Sequence, residues 1–252
     1  MTTSRRPYPD SFYTTSWQRA AQSARRIVPV VLNFTKARSV VDVGCGTGAW
    51  LESVREEGIY DVTGVDGNYV NRELLRIPSH LFHAHDLDTP LKMARRFDLA
   101  ISLEVAEHLA PQHAERFVDD LTRLAPVILF SAAIPGQGGT HHVNEQWPEY
   151  WANIFHKKDY LAIDCIRPLI WNDGQIEFFY AQNTLIFAAA NEIDRYPLLA
   201  EQLQRRRSDP LSRVHPRAWL RAHDPRSQRL SFLLRGLWQR TLSLVSHPKS
   251  NQ

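Results

Sequence analysis

Cysteine is scarce in this sequence: Cys45 and Cys165 are the only two among 252 residues. They cannot build a disulfide framework and neither sits in a Cys-x-x-Cys pair that would indicate zinc, so a reducing compartment is the default. Long apolar runs are missing as well. No segment approaches the roughly 20 apolar residues of a membrane span, and the stretch from Met1 to Tyr8 has no signal-peptide core, which predicts a soluble, cytoplasmic protein. Nor is there a strong net charge. With 30 Lys and Arg against 27 Asp and Glu, and 43% hydrophobic residues, the chain is not of disordered composition and is able to bury one sizeable core. That balance is uneven along the chain: residues 1–194 carry 18 basic and 24 acidic side chains, net −6, whereas residues 195–252 carry 12 and 3, net +9. An acidic body with a basic tail is implied.

What is present alternates between helix-like and strand-like stretches. From Ser16, which reads as an N-cap, to about Phe34, the apolar Trp17, Ala20, Ala21, Ala24, Ile27, Val28 and Val31 recur three and four apart around Pro29 and predict a leading helix. Apolar or β-branched runs follow at Ser39 to Val43, Asp61 to Val65, His80 to Ala84, Phe97 to Leu103 and Val127 to Ala132. Separated by helix-like segments, they make the pattern of a parallel sheet covered on both faces. A polar loop, Ile134 to Trp147, carries Pro135, Gly136, Gly138 and Gly139, and loops of that length are usually functional or disordered. Glu149 to Phe155 reads as a helix. Asp164 to Trp171 and Asn183 to Ala190 read as strands with a turn at Asn172-Asp173-Gly174 between them, a hairpin-like pair closing one edge of the sheet.

Directly after the first strand, Asp42-Val43-Gly44-Cys45-Gly46-Thr47-Gly48 places glycine at alternate positions before a helix. Glycine there admits unusual backbone angles and lets a ligand lie against the main chain; taken alone, the spacing equally suits any tight strand-to-helix turn. The second strand runs into Asp66, 18 residues after Gly48, where a carboxylate can accept both hydroxyls of an adenosine ribose. The third leads to Asp86-Leu87, where a carboxylate can meet the exocyclic amine of adenine. Successive strand tips at the carboxyl edge are where an open α/β sheet binds its ligand. A nicotinamide dehydrogenase calls for Gly-x-Gly-x-x-Gly, and here the glycine after Gly46 comes one residue too soon.

These residues, together with Phe97-Asp98-Leu99-Ala100-Ile101-Ser102-Leu103-Glu104, resemble the class I S-adenosylmethionine-dependent methyltransferases from about Trp17 to Ala190. The resemblance implies an α/β, Rossmann-like fold: a seven-stranded, mostly parallel sheet with helices on both faces, followed by a basic helical C-terminal extension. It also implies that Asp42, Gly44, Gly46 and Gly48 face the methionine end of S-adenosylmethionine, Asp66 the ribose, and Asp86 with Leu87 the adenine. The expected divisions are a leading helix and lid (1–38), the S-adenosylmethionine-binding domain (39–190) and the extension (191–252).

Beyond the fourth strand lies Ser102-Leu103-Glu104-Val105-Ala106-Glu107-His108-Leu109. A helical reading puts Glu104, Glu107 and His108 at i, i+3 and i+4 on one face. Two carboxylates and an imidazole make a divalent-metal site once a further ligand arrives, and the loop after the fifth strand supplies His141 and His142. The pattern is similar to that of two metal-assisted groups of O-methyltransferases. One comprises the catechol enzymes of the ubiquinone pathway, with a Glu-x-x-Glu-His segment; the other comprises the enzymes that methylate the terminal 2′-hydroxyl of small RNAs, which add a later His. That likeness implies Glu104, Glu107, His108 and His142 as ligands of Mg, Mn or Zn, the metal holding two neighbouring hydroxyls and lowering the pKa of one. In the metal-free alternative the glutamates cap and solvate the segment, and His108 or His142 is the general base, with His142 preferred because it leads into a polar run.

On the acceptor side, Asn144-Glu145-Gln146-Trp147-Pro148-Glu149-Tyr150-Trp151 mixes amides, carboxylates and aromatics suited to a polyol or ring, with Tyr13 and Trp17 as a lid; any one of the tryptophans also fits an ordinary core role. In the tail, Arg205-Arg206-Arg207 is followed by an apolar face of Leu230, Leu233, Leu234, Leu237, Trp238, Leu244 and Val245, flanked by Arg229, Arg235 and Arg240. Such a basic amphipathic helix docks on its own body, on a protein partner or on an anionic membrane. Arginines without interleaved aromatics argue against nucleic acid. The expected function is O-methylation of a hydroxyl on a sugar, glycan or other small polar metabolite, with two alternatives: methylation of a terminal ribose 2′-hydroxyl of RNA, and a non-catalytic cofactor-binding scaffold.

Overall fold

The computed structural model describes residues 10–205 and 210–224, with side chains from Gln18 onward. Two compact units divide at Arg213 and Val214. In chain order the first holds α1 (Asp10–Thr35), β1 (Ser39–Val43), α2 (Ala49–Glu56), β2 (Asp61–Asp66), β3 (Phe82–Ala84), β4 (Leu99–Leu103), α3 (Ala114–Leu124), β5 (Val127–Ser131), α4 (Pro148–His156), β6 (Tyr160–Ile163), α5 (Arg167–Ile170), α6 (Phe178–Asn183), β7 (Leu185–Ala189) and α7 (Pro197–Arg205). The strands form one sheet in the order β3-β2-β1-β4-β5-β7-β6. Pairing is parallel from β3 through β5, and β7 runs antiparallel to both β5 and β6. This is the expected seven-stranded, mostly parallel, Rossmann-like sheet.

Side chains that alternate along each strand sort the core into two layers. Val40, Leu99, Ile101, Val127 and Leu129 turn to one face, where they meet Ile27, Val31, Leu51 and Val54 of α1 and α2. Val41, Val43, Ala100, Ile128 and Phe130 turn to the other, against Phe117, Leu121, Trp151 and Phe155 of α3 and α4. Both faces are covered, which is why these strands read as near-continuous apolar runs.

The leading helix starts earlier than its Ser16 signal and passes through Pro29 without ending. An interior proline costs about 3 kcal/mol; Ile27, Val28 and Val31, all buried, offset it at about 1.5–3 kcal/mol for each fully buried apolar side chain. The expected strand at Asp164 to Trp171 is corrected. β6 stops at Ile163, because the Asp164 carboxylate takes the Arg167 guanidinium in a bidentate pair, Nε to Oδ1 at 2.8 Å and Nη2 to Oδ2 at 2.7 Å. Residues 164–166 leave the strand direction, and α5 opens at Arg167 with Pro168 in its first turn. The turn at Asn172 therefore leads into α6, and the antiparallel β6–β7 pair is joined through two short helices instead of a tight hairpin. α7 buries Leu199 in the first layer beside Tyr196, so the sheet-containing unit continues past the expected boundary at 190.

In the second unit, α8 (Pro216–Ala222) begins with Pro at its first turn, and the His215 ring accepts from the Arg217 backbone N–H at 3.1 Å. Trp219 and Leu220 on this helix are exposed. The tail face from Leu230 to Val245 and the run's Arg206 and Arg207 lie outside the described residues, as do the side chains of Tyr13 and Trp17. Among the described residues no helix is long and apolar enough to cross a membrane.

Candidate active site

At the carboxyl edge of β1 the chain turns through Gly44 (φ 86°), Gly46 (φ 54°) and Gly48 (φ 90°), all in the left-handed region that favours glycine. The loop is pinned to its neighbour strand by Gly44 and Cys45 N–H groups donating to Val65 C=O at 2.8 and 3.2 Å. Two of the glycines have different reasons. A Cβ at Gly44 would lie 2.3 Å from a Val105 methyl, so this glycine makes room for the β4 turn. A Cβ at Gly46 would meet nothing within 4 Å, which leaves bare main chain facing open space.

Asp66 closes the cradle from the tip of β2. Its Oδ2 accepts the Gly46 N–H at 2.7 Å, and its Oδ1 accepts the Gly67 N–H at 2.6 Å and the Tyr69 hydroxyl at 2.7 Å. Burial raises its carboxyl above the usual range, while these hydrogen bonds pull it back. Asp42, at 2% exposure, is raised well above that range by burial and then by the Asp66 charge, and its Oδ2 finds no hydrogen-bond partner among the described residues. These features fit S-adenosylmethionine. The orphaned Asp42 oxygen suits a cationic ammonium, the Gly46 main chain a ligand in close approach, and Asp66 a ribose. Three of the four carboxylate lone pairs of Asp66 are taken, one of them by the Tyr69 hydroxyl. Asp86 lies two residues past β3, exposed, with its Oδ1 accepting the Asp88 N–H at 3.0 Å. Arg116 holds that loop by donating to the Leu87 and Thr89 carbonyls at 2.5 and 2.8 Å.

Across the edge, at the tips of β4 and β5, the chemistry is carried by side chains. Glu107, His108 and His142 bring ligand atoms within 4.8 Å of one another. Glu107 is fully buried and neither of its carboxylate oxygens has a hydrogen-bond partner among the described residues, nor has Nδ1 of His108. Burial pushes the Glu107 carboxyl well above its ordinary value, and the Glu104 charge adds to this. Burial lowers His108 to about 4, with His142 acting in the same direction, so its imidazole is neutral and its lone pair available near pH 7. The His108 and His142 rings meet edge to face at 4.9 Å, and His142 Nε2 stands 4.0 Å from Glu107 Oε1. A buried, unpartnered carboxyl beside the neutral His108 imidazole and a second ring, His142, is the donor set of a divalent cation.

The local structure differs from the helical reading of this segment. Glu104 sits in the left-handed region (φ 56°) just past β4, and only Ala106–His108 form a short 3-10 turn. Convergence comes from this turn and from the β5–α4 loop, whose Val143 and Asn144 N–H groups donate to the Glu107 C=O at 2.9 and 3.0 Å. Glu104 is adjacent but outside the three-residue group: its Oε2 accepts Gln137 Nε2 at 2.7 Å and its Oε1 accepts Asn183 Nδ2 at 3.0 Å. His141 is exposed at φ 60°, outside the group.

Two further residues bear on the site: Glu145, read from the sequence only as part of the acceptor-side run, and Tyr180, which the sequence does not single out. Glu145 accepts His142 Nδ1 at 2.9 Å. Although burial pushes its carboxyl up, bonds from His142, Gly136 and Gly138 outweigh this and hold it below the usual range. Its spacing of three from His142 was the available signal. Tyr180 packs edge to face on Trp50 at 5.1 Å, and its phenol is raised by burial and then by the Glu104 charge, with Asp42 and Glu107 acting in the same direction. No sequence pattern marks it. Of the acceptor-side aromatics, Trp151 is a core residue against Phe130 and Trp147 is exposed.

A family model described as a methyltransferase domain matches residues 16–157, more than half of the chain. No curated protein matches. Among solved structures the chain is similar to an O-methyltransferase family protein from Burkholderia thailandensis, at 15% identity and a TM-score of 0.52 over 74% of this chain and 61% of that one. It is similar also to TnmH, at 18% and 0.50 over 71% and 57%, and to the small RNA methyltransferase HEN1, at 18% and 0.50 over 65% and 25%. The chain thus spans about three fifths of the length of the first two and a quarter of the third, and likeness at this identity establishes the fold. With the family match over β1 to α4 and a glycine-loop cradle at the carboxyl edge, the chain belongs to the methyltransferase domain family, in its class I S-adenosylmethionine-dependent fold.

Proposed function

We propose that this chain, an S-adenosylmethionine-dependent methyltransferase by family, methylates a hydroxyl of a sugar, glycan or other small polar metabolite with the help of a divalent cation. The observation that carries the reading is the buried Glu107, His108 and His142 group with its unpartnered ligand atoms. A cation there would act as a Lewis acid and lower the pKa of a coordinated hydroxyl. Asp42 holds the ammonium of the donor's methionine end, the Gly46 main chain lies along it, Asp66 takes the ribose, and Asp86 with Leu87 faces the adenine. The acceptor oxygen gives up its proton, to solvent water where a cation would hold it and to Nε2 of His142 or to His108 in a cation-free site, and takes the methyl group from the sulfonium, whose C–S bond breaks to leave S-adenosylhomocysteine. A second reading, the terminal ribose 2′-hydroxyl of RNA, draws support from the histidine that the β5–α4 loop adds to the cluster, the feature by which the sequence resembles small-RNA enzymes, and from a fold shared with HEN1.

The test is to incubate the chain with methyl-labelled S-adenosylmethionine and fractionated cell extract, with and without chelator. We expect label in low-molecular-weight or glycan material, lost on chelation. Glu107→Gln should lower turnover by about 100-fold or more while S-adenosylhomocysteine affinity stays within about twofold. Transfer that survives both treatments ends the cation reading. Label confined to ribonuclease-sensitive material replaces the small-molecule acceptor with RNA, and tight donor binding without label in any fraction supports the scaffold.

A further inference from the structure

The loop between β5 and α4 is organised around one carboxylate. Glu145 Oε2 accepts the Gly136 N–H at 2.8 Å, and Oε1 accepts both the Gly138 N–H at 2.8 Å and His142 Nδ1 at 2.9 Å. Gly136 and Gly138 have φ of 83° and 68°, and a Cβ on either would meet nothing within 4 Å. These glycines therefore serve backbone direction, turning two N–H groups onto the carboxylate. Gly139 serves space: a Cβ there would lie 2.1 Å from Nε2 of His142, whose ring rests against bare main chain.

A carboxylate that gathers two amide hydrogens has only lone pairs to offer, so Nδ1 of His142 must be the donor in their shared bond. In a neutral imidazole the lone pair then belongs to Nε2, the atom that stands 4.0 Å from Glu107. The opposite tautomer would turn an N–H toward Glu107 and fill one of the lone pairs a cation needs.

We propose that Glu145 is a positioning residue: through the Gly136–Gly138 turn it fixes His142 as the Nδ1–H tautomer and aims the Nε2 lone pair at the space between Glu107 and His108. This deepens the cation reading of the same site and rests on it for its purpose. Partners of this kind behind a ligating histidine typically change metal affinity 10- to 100-fold when removed.

The experiment titrates Mn2+ into the full chain and reads the free ion by electron paramagnetic resonance, for the wild type, Glu145→Ala and Glu145→Gln. S-adenosylhomocysteine affinity is measured by calorimetry on the same samples. Imidazole 15N shifts give the tautomer, with His142→Ala identifying the resonance. We expect Glu145→Ala to weaken Mn2+ binding by about 10- to 100-fold, to leave S-adenosylhomocysteine affinity within about twofold, and to release His142 into a mixture of tautomers. Glu145→Gln, whose amide oxygen can still accept from Nδ1, should recover part of the loss. Mn2+ affinity that Glu145→Ala leaves unchanged, an equal fall in both affinities, or an Nε2–H tautomer in the metal-free wild type would each overturn the proposal. Failure of the wild type to bind Mn2+ would overturn the cation reading instead, and the 15N spectra would then decide the role of Glu145 by themselves.

Discussion

The two halves of the sheet's carboxyl edge are built on opposite plans. At β1 and β2 the working surface is main chain: three left-handed glycines, a loop bonded to Val65 C=O, and one carboxylate, Asp66, that gathers local N–H groups. At β4 and β5 it is side chain: Glu107, His108 and His142, with Glu104 tied to Asn183, 79 positions away, and Glu145 behind His142. A main-chain surface is written into a few consecutive residues and tolerates almost any neighbour that leaves the backbone bare. A side-chain cluster depends on several segments arriving together, and it concentrates unpaired charge where water is absent.

The glycines give the largest test of the main-chain plan. Gly44→Ala would drive a Cβ to 2.3 Å from the Val105 side chain at φ 86°. Left-handed backbone costs about 1–2 kcal/mol and overpacking about 1–3 kcal/mol more, so a loss of several kcal/mol is expected in denaturant unfolding. Gly46→Ala faces open space and should lose only about 1–2 kcal/mol of stability, but, on the proposed placement of the donor, about tenfold in donor affinity, because its methyl group would stand against the ligand. Equal stability losses for the two, or unchanged donor affinity in Gly46→Ala, would erase the distinction between room for the fold and room for the ligand.

Asp42 sits on the main-chain side yet carries the kind of unpaired charge typical of the other half. Burial raises its folded pKa above the unfolded value, so the native state binds a proton that the unfolded chain has already released, and stability falls as pH rises through that interval. Asp42→Asn should therefore be more stable than the wild type near neutral pH, by about 1–3 kcal/mol for relief of an unsatisfied buried group. The advantage should vanish in acid, below the ordinary carboxylate range, and donor affinity should drop. Thermal unfolding across pH checks the first part and calorimetry the second; a variant less stable than the wild type at neutral pH would show that the Asp42 charge is compensated.

The same contrast explains what was legible in the sequence. Gly44, Gly46, Gly48 and Asp66 could be read because strand, turn and acid follow one another along the chain, and the structure brings Asp66 onto Gly46. β1, β4 and β5 were legible because strands buried on both faces leave apolar runs. Asp164 to Trp171 misled because its apolar residues are short-range and the deciding interaction, the buried Asp164–Arg167 pair, is a side-chain bond that outweighs strand propensity. Glu107, His108 and His142 were marked by residue type, and His142 does come from the loop after β5; the helical face read for Glu107 and His108 is replaced by a left-handed Glu104 and a short 3-10 turn. Tyr180 was not legible at all, since nothing local ties a phenol on α6 to carboxylates at the ends of β1 and β4.

The smallest expected effect sharpens the comparison most, because it concerns a side chain intruding on the main-chain half. The Tyr69 hydroxyl donates to Asp66 Oδ1 at 2.7 Å, and the ring lies against Gly67, where a Cβ would come within 2.0 Å of it. If both ribose hydroxyls of the donor bond Asp66, one present partner must leave, and the Tyr69 hydroxyl is its side-chain partner; wild-type affinity then includes the loss of one hydrogen bond, a net of about 0.5–1.5 kcal/mol. Tyr69→Phe keeps the ring over Gly67 and removes only the competitor. S-adenosylhomocysteine should then bind about two- to tenfold more tightly, with the stability lost by the free protein falling in the same range. A weaker affinity in Tyr69→Phe would mean that the hydroxyl moves onto the donor once it is bound, making Tyr69 a part of the cradle and adding a side chain to the half of the site that is otherwise drawn from backbone.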